Sequence, residues 1–92
     1  MTPLDPTDYY TDPDRGVSAV RYWPRTLRFI LSSSGAVEAG VIRHPKFEGC
    51  LDLGGKTVFA GDWLVYTEAR GYRKMTHRTF CTVYPKYSEL EQ

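Results

Sequence analysis

The stretch from Lys56 to Tyr84, KTVFAGDWLVYTEARGYRKMTHRTFCTVY, determines the fold of this 92-residue chain. Gly61-Asp62 marks a bend, and two strand-like runs follow it, Trp63 to Glu68 and Tyr72 to Thr76. Ala69-Arg70-Gly71 separates these runs at the spacing of a short hairpin loop. The pattern therefore predicts an antiparallel β-hairpin.

The first strand of this hairpin indicates where the core lies. Successive side chains of a strand point to opposite faces, so we expect Trp63 and Val65 to share one face. Leu64 is then expected on the other face, against a helix or a partner. After the hairpin, His77 to Cys81 is predicted to make one helical turn, and this element is expected to end at Pro85.

A second hairpin is predicted just upstream. Cys50 to Leu53 and Lys56 to Phe59 are short strand-like runs that flank the pair Gly54-Gly55. Paired glycines adopt the positive φ angles of a type I′ turn without steric cost. The two runs are therefore expected to pair in antiparallel fashion.

The region before this hairpin has two interpretations. Val17 to Trp23 reads as a first strand, ended by Pro24, which cannot donate to a sheet. Between Arg25 and Ile42 we favour a helix over Arg25 to Ser32, with Ser32 to Gly35 as its stop. Its apolar face would consist of Trp23, Leu27, Ile30 and Leu31. The alternation of Leu27, Phe29 and Leu31 leaves open a strand that turns at Ser33 to Gly35 into Val37 to Ile42.

Length and composition are typical of one small domain. A chain of this size forms a single core, and 41% apolar residues with 13 aromatics can fill it without a metal or a disulfide. We predict a small α+β fold, in which one helix packs on an antiparallel sheet of four to six strands.

The charges divide the chain into three parts. Residues 1–16 contain four Asp, three Pro and one Arg, and are predicted to form an irregular acidic arm that Tyr9 and Tyr10 pin to the body or to a partner. Residues 17–86 form the single α+β domain, with eleven Lys or Arg against five acids. Residues 87–92 are an acidic tail. The positive body favours phosphate or acidic partners.

The chain has no pattern of a secretory signal and no run of about 20 apolar residues. We therefore expect a cytoplasmic protein that does not enter a membrane. In that compartment Cys50 and Cys81 are expected as free thiols.

Residues 17–86 resemble a class of small phage and prophage proteins. Those proteins read roughly "V-x-P-G-D-W-I-V", then "G-x-x-Y-x-x-K-P-x-x-F-x-x-T-Y", which is similar to Val58 to Val65 and Gly71 to Tyr84. Ser18 to Trp23 is similar to their opening "E-A-V-Q-W" strand. This chain departs from the pattern at two places: the pattern has Pro where this chain has Ala60, and it has Lys-Pro where this chain has His77-Arg78. The resemblance implies a phage origin and a helix after the first strand.

The sequence patterns for metal binding and for catalysis are weak. His44, Cys50, His77 and Cys81 are four residues of the zinc-ligand types, and His77 and Cys81 would share a helical face. Five residues separate His44 from Cys50, which is not the usual close ligand spacing. Cys81 as a nucleophile would need a positioned base, and His77 offers only a loose pair. We expect no metal, no cofactor and no enzymatic activity.

Basic residues beside aromatics are the stronger signal for a binding site. Guanidinium groups bind phosphates through two hydrogen bonds, and aromatic rings stack on exposed bases. The alternative is a set of solvated charges beside core aromatics. The candidate partner-binding residues are Arg70, Arg73, Lys74, Arg78 and Tyr72, with Tyr66 nearby, and a second set of Arg25, Arg28, Arg43 and Lys46, which Arg21 accompanies.

The resemblance to phage proteins implies a counter-defence function. We expect a stoichiometric inhibitor, an anti-CRISPR that binds the host's effector complex, with or without contact to its guide RNA, and blocks recognition of the nucleic-acid target. One alternative is a nucleotide or small-molecule sponge. Another is an accessory protein that binds RNA or single strands.

Overall fold

The computed structural model describes residues 8–90, with side-chain environments up to Tyr87. It confirms a small α+β fold. The strands are β1 (Tyr9–Asp12), β2 (Val17–Arg21), β3 (Val41–Arg43), β4 (Leu51–Leu53), β5 (Lys56–Val58), β6 (Trp63–Thr67) and β7 (Gly71–Met75). The helices are α1 (Leu27–Ser32), α2 (Ser34–Glu38), α3 (His77–Val83) and α4 (Pro85–Leu90), and 3-10 turns form at Pro13–Arg15 and Pro24–Thr26.

The strands form two antiparallel sheets. The larger has the order β1-β2-β6-β7, and the smaller has the order β3-β4-β5. The sequence predicted one sheet of four to six strands with one helix. The fold class is therefore confirmed, but the strands form two sheets instead of one. Each expected hairpin is present, but the two hairpins belong to different sheets.

Strand β6 lies at the centre of the fold because it is buried on both faces. Trp63 and Val65 point into one core cluster and Leu64 into another, as the strand alternation predicted. Helices α3 and α4 cover the first face of the large sheet. The small sheet, together with α1 and α2, covers the second. The molecule therefore has three layers with the large sheet in the middle.

The first core cluster is mainly aromatic. Trp63 stacks on Phe80 of α3, with ring centroids 3.8 Å apart and planes 5° apart. The buried indole Nε1–H donates to His77 Nδ1 at 3.1 Å, so this polar group is satisfied. Tyr10, Tyr84 and Tyr87 close the cluster through edge and tilted ring contacts.

Turn residues set the ends of the strands. Gly54 and Gly55 have φ angles of 58° and 89°, which confirms the double-glycine hairpin between β4 and β5. At the bend before β6, Asp62 Oδ2 accepts the Phe59 N–H at 3.0 Å and the Asp62 N–H donates to the Phe59 carbonyl. Gly61 has a φ of 95° in this turn, which therefore forms without the proline of the phage pattern.

The region from Arg25 to Ser32 is helical, as favoured, and α1 ends at Ser32, where the stop was expected, but a second helix that was not predicted follows at once. Ser33 interrupts the helix with an extended backbone, and its side chain then accepts the Ala36 N–H and caps α2. Serine is a favoured N-cap residue, so the residue that follows one helix can also start the next. The strand of the alternative hairpin was expected at Val37 to Ile42, whereas the strand in this region is Val41–Arg43.

Both acidic ends are more ordered than predicted where they are described. Residues 1–7 of the arm and 91–92 of the tail lie outside the described residues. Tyr9–Asp12 forms β1 rather than an irregular segment, because its alternation buries Tyr10 and Asp12 against the first core cluster. Tyr87 is buried within α4, so residues 85–90 belong to the body.

Candidate functional site

The predicted basic cluster lies along one edge of the large sheet. Arg70 is in the β6–β7 turn, Arg73 and Lys74 are in β7, and Arg78 is in the first turn of α3. Because β7 is an outer strand of the sheet, these residues lie along or beside its edge. We call Arg70, Arg73, Lys74 and Arg78 the β7 edge.

The strand alternation distributes the β7 edge over both faces. Arg73 pairs with Val65 and lies on the face of α3, whereas Lys74 pairs with Leu64 and lies on the opposite face. Lys74 Nζ is 3.6 Å from Asp62 Oδ2, and the Arg73 Nε is buried without a hydrogen-bond partner in the described chain. Arg70 and Arg78 are exposed. The accessible charge of this edge therefore comes chiefly from Arg70 and Arg78.

Tyr72 is less accessible than predicted. It packs against the second core cluster, and a Cβ at Gly35 would lie 3.2 Å from its hydroxyl oxygen. Its cross-strand neighbour Tyr66 is 38% exposed, with ring centroids 5.1 Å apart. Tyr66 is therefore the aromatic ring of this pair that a ligand reaches more easily.

The second predicted set does not form one site. Arg25 donates to both carboxylate oxygens of Asp8, at 2.9 and 3.1 Å, and its guanidinium lies over the Trp23 ring, 5.3 Å from the centroid. Arg28 is exposed on α1, Arg43 on β3 and Lys46 in the following loop. Arg25 thus has an intramolecular role, and the other three are spread over separate elements.

The exposed charge is more positive than the formal net charge of +1. Asp8 and Asp12 are buried, and Asp52 and Asp62 are half-buried. Among residues 8–87, nine of the Lys and Arg side chains are exposed, against four acids. Such a surface favours phosphate or acidic partners.

The structure does not bring the four candidate zinc ligands together. His77 and Cys81 meet on α3, whereas the His44 N–H donates to the Cys50 carbonyl in the small sheet. The large sheet lies between the two pairs. Within residues 8–90, no group of three or more His, Cys, Asp or Glu could hold a metal ion.

His77 is not arranged as a base for Cys81. Its Nδ1 accepts the Trp63 N–H, so the neutral ring carries its own hydrogen on Nε2. Cys81 Sγ is 3.6 Å from that Nε2. The imidazole therefore offers the sulfur a donor, whereas a nucleophilic thiol needs an acceptor for its proton.

One surface groove adjoins Tyr66. It has a volume of about 380 Å³, and its lining includes Thr11, Ser18, Tyr66 and Glu68. Thr11, Ser18 and Tyr66 form one cross-strand row on β1, β2 and β6. Hydroxyl groups beside an exposed aromatic ring can hold a small polar ring compound.

The outer face of the small sheet was missed by sequence reasoning. Ile42 of β3 is 52% exposed there, and Phe47 in the following loop and Phe59 just after β5 are also about half exposed. The alternation of Val41, Ile42 and Arg43 was the signal available, because only one face of a short strand can be buried against a core. No sequence feature indicated that the other face would stay uncovered in the monomer.

Comparisons with known proteins do not indicate a function, so the functional inference depends on the residues described above. No protein-family model matches the chain, and no curated protein or solved structure matches it. None of the described helices is long and apolar enough to cross a membrane.

Proposed function

We propose that this protein is a phage-encoded, stoichiometric inhibitor of a host defence system that acts in the host cytoplasm. Its target in this proposal is a CRISPR effector complex. The inhibitor binds through the β7 edge and blocks recognition of the nucleic-acid target. The chain itself catalyses no reaction in this account.

The excess of exposed basic over exposed acidic side chains is the observation that carries the proposal. Effector complexes hold their guide and target through positively charged channels, so the attraction of a basic inhibitor must be to bound nucleic acid or to an acidic protein face. Arg70 and Arg78, at opposite ends of β7, provide two separated cationic contacts. The resemblance of residues 17–86 to small phage proteins supports the same function.

The outer edge of β7 offers a second type of contact. An outer strand presents backbone N–H and carbonyl groups that can pair with an extended segment of another protein. The basic side chains discourage pairing with a second basic edge and favour an acidic segment. Lys74 and Arg73 also protect the edge from self-association, which is the ordinary structural role of such charges.

The alternative function is a module that binds a nucleotide or another small molecule. The groove beside Tyr66 favours it, because an aromatic ring and two hydroxyl groups line a space of ligand size. The same ring would stack on a base in an accessory protein that binds single strands.

Affinity capture separates these functions. The tagged protein is incubated with a lysate of cells that carry an active CRISPR system, and the eluate is analysed for proteins, nucleotides and RNA by mass spectrometry. The proposal expects effector subunits in stoichiometric amounts, lost with the Arg70→Glu/Arg78→Glu variant. Recovery of a free nucleotide alone would favour the sponge, and recovery of bulk RNA would favour the accessory protein.

A further inference from the structure

A small cleft lies between β1 and the junction of α3 with α4. It has a volume of about 140 Å³, and its lining includes Tyr10, Asp12, Asp14, Arg15, Tyr84 and Lys86. Tyr10 and Asp12 lie on the same face of β1, the face of the first core cluster, so both point toward the side of α3 and α4. Strand β1 is the edge of the large sheet opposite to β7. The cleft is therefore separate from the β7 edge.

Asp12 is a buried carboxylate with few hydrogen bonds. Its residue is 6% exposed, and within the described residues it accepts a hydrogen bond from the Tyr10 hydroxyl at 3.4 Å. That distance is long for a hydroxyl that donates to a carboxylate, where about 2.5 to 2.7 Å is usual. A carboxylate has about four acceptor positions. Most of the accepting capacity of Asp12 is therefore unused.

Asp8 shows how this chain pairs a buried carboxylate with one of its own cations. It is 1% exposed, and it accepts two hydrogen bonds from Arg25, at 2.9 and 3.1 Å. Asp62 likewise lies 3.6 Å from Lys74 Nζ. Among the described residues, no basic side chain forms such a pair with Asp12. Because a buried charge is costly unless it is paired, Asp12 is arranged for a cation that the described chain does not supply.

The basic residue nearest to Asp12 in the sequence is held by other contacts. Arg15 Nη1 donates to the Val83 carbonyl at 3.1 Å, and the guanidinium lies over the Tyr84 ring, 4.7 Å from its centroid. A guanidinium has about five N–H donors, so most of them remain available to an anionic group. Lys86, in the first turn of α4, is exposed and adds a second positive charge.

Aromatic rings supply the apolar part of the cleft. Tyr10 and Tyr84 are both buried, and their ring centroids are 5.7 Å apart. These rings are therefore in place before a ligand binds. A cavity of about 150 Å³ takes a molecule of the size of benzene, so this cleft suits a ligand of roughly six to eight non-hydrogen atoms.

We propose that the cleft binds a free α-amino acid with a small apolar side chain. The ammonium group of the ligand donates to Asp12, where the described chain lacks a cation. Its carboxylate accepts from Arg15, with Lys86 nearby, and its side chain packs against the ring of Tyr84. Each charged contact is a charge-assisted hydrogen bond, the stronger class of hydrogen bond.

The charges of the cleft disfavour other classes of ligand. Asp12 and Asp14 are balanced by Arg15 and Lys86, so the lining has no net charge. A simple cation is repelled by the two basic residues, and a simple anion is repelled by the buried Asp12, whereas a zwitterion matches both signs. A metal ion is disfavoured because, within the described part of the chain, no three His, Cys, Asp or Glu residues are grouped to hold one.

An NMR titration of the isotope-labelled full chain tests the proposal. The three probes are L-valine, isobutylamine, which lacks the carboxylate, and isovalerate, which lacks the ammonium group. We expect L-valine to cause saturable shifts of the amide resonances of Asp12, Arg15 and Tyr84. Each of the other two probes should bind at least about tenfold more weakly, because each lacks one of the charged contacts.

Two variants assign the charged groups of the cleft. Asp12→Asn retains the size of the side chain and should weaken L-valine binding at least about tenfold. Asp52→Asn, in the small sheet, is the matched control and should stay within about twofold of the wild type. Arg15→Gln should weaken the binding of L-valine more than that of isobutylamine, because the amine does not use the guanidinium. Since Arg15 is exposed, this variant tests the cleft even if Asp12→Asn does not fold.

Thermal melting gives an independent readout. Saturating L-valine should raise the melting temperature of the wild type but not that of Asp12→Asn, because a ligand stabilises only the state that binds it. Without ligand, Asp12→Asn should melt no lower than the wild type, since no internal ion pair is lost.

Several results would overturn the proposal. These are no saturable shifts with L-valine, isobutylamine or isovalerate binding as tightly as L-valine, the same shifts with magnesium chloride alone, an L-valine affinity that Asp12→Asn leaves unchanged, or a marked loss of stability in that variant without ligand. The β7 edge is intact in all of these variants. Failure of the amino-acid site and failure of the proposed inhibitor function are therefore separate outcomes.

Discussion

Asp8 and Arg25 form an ion pair with two hydrogen bonds that joins the start of the described chain to the turn before α1. The Asp8 side chain is 2% exposed, whereas that of Arg25 is 60% exposed. Arg25 also lies over the Trp23 ring, and Arg21 lies over the same ring at 4.8 Å. The acidic N-terminal segment is therefore attached to the body through a basic residue that the sequence had indicated as a partner contact.

The first prediction concerns this ion pair. Arg25→Gln leaves the buried Asp8 carboxylate with a weaker partner, so it should lower the free energy of unfolding by about 1 to 2 kcal/mol, less than a fully buried pair because solvent screens Arg25. Urea denaturation followed by circular dichroism measures the change. Arg28→Gln, on the exposed side of α1, is the matched control and should change stability by less than about 0.5 kcal/mol. Equal effects of the two substitutions would contradict the role of the pair.

The second prediction concerns the aromatic core. Trp63→Ala removes the ring that stacks on Phe80 and leaves a cavity, so it should cost about 3 to 5 kcal/mol, a large share of the stability of a small domain. We expect a largely unfolded protein by circular dichroism. A folded variant of nearly wild-type stability would show that Trp63 does not hold the two layers together.

The third prediction concerns alkaline pH. Burial raises the pKa of Tyr10, with Asp12 adding to the effect, and burial also raises the pKa of Tyr22. The stability that a raised folded-state pKa contributes is fully present below the unfolded pKa of about 10, and it is lost as the pH rises through the pKa of the folded state. Stability should therefore fall above about pH 10. The Tyr10→Phe/Tyr22→Phe variant should show a smaller fall, and an identical pH profile would refute this assignment.

The fourth prediction concerns the loop that carries Phe47. His44→Ala removes the acceptor for two backbone N–H groups, so amide hydrogen exchange at Lys46 and Phe47 should accelerate. His44→Asn retains a short side-chain acceptor and should largely preserve the protection. Exchange rates measured by NMR decide, and rates in His44→Ala that equal those of the wild type would show that the imidazole does not order the loop.

Local chemistry explains which parts of the fold the sequence predicted. Gly54-Gly55 and Gly71 adopt the positive φ angles that the β4–β5 and β6–β7 turns require, so both hairpins are present as expected. The alternation in β6 likewise placed Trp63 and Leu64 on opposite faces. The division into two sheets was not predictable, because strand pairing depends on contacts distant in sequence.

The ends of the domain show the same limit. The Pro- and Asp-rich composition around β1 is typical of an irregular segment, and only its pairing with β2 makes Tyr10 and Asp12 part of the core. Pro85 was interpreted as a stop, yet proline also suits the first turn of a helix, and α4 begins there.

The sequence indicated which residue types the candidate site contains, but not which of these side chains are exposed. The sequence indicated the basic residues as a group, whereas the pairing of Arg25 with Asp8 and of Lys74 with Asp62 depends on the folded chain. Arg70 and Arg78 remain as the exposed residues of the β7 edge. The central claim therefore depends on these two side chains.

A phage-plating assay tests that claim most directly. Cells with an active CRISPR system are challenged with a targeted phage while they express the wild-type protein, the Arg70→Glu/Arg78→Glu variant, or Arg28→Glu/Lys56→Glu, two exposed residues away from the β7 edge, as a charge-matched control. The account predicts that the wild type and the control restore plaque formation and that the double variant, folded to the same extent, does not. Wild-type protein that leaves every tested CRISPR system fully active would contradict it.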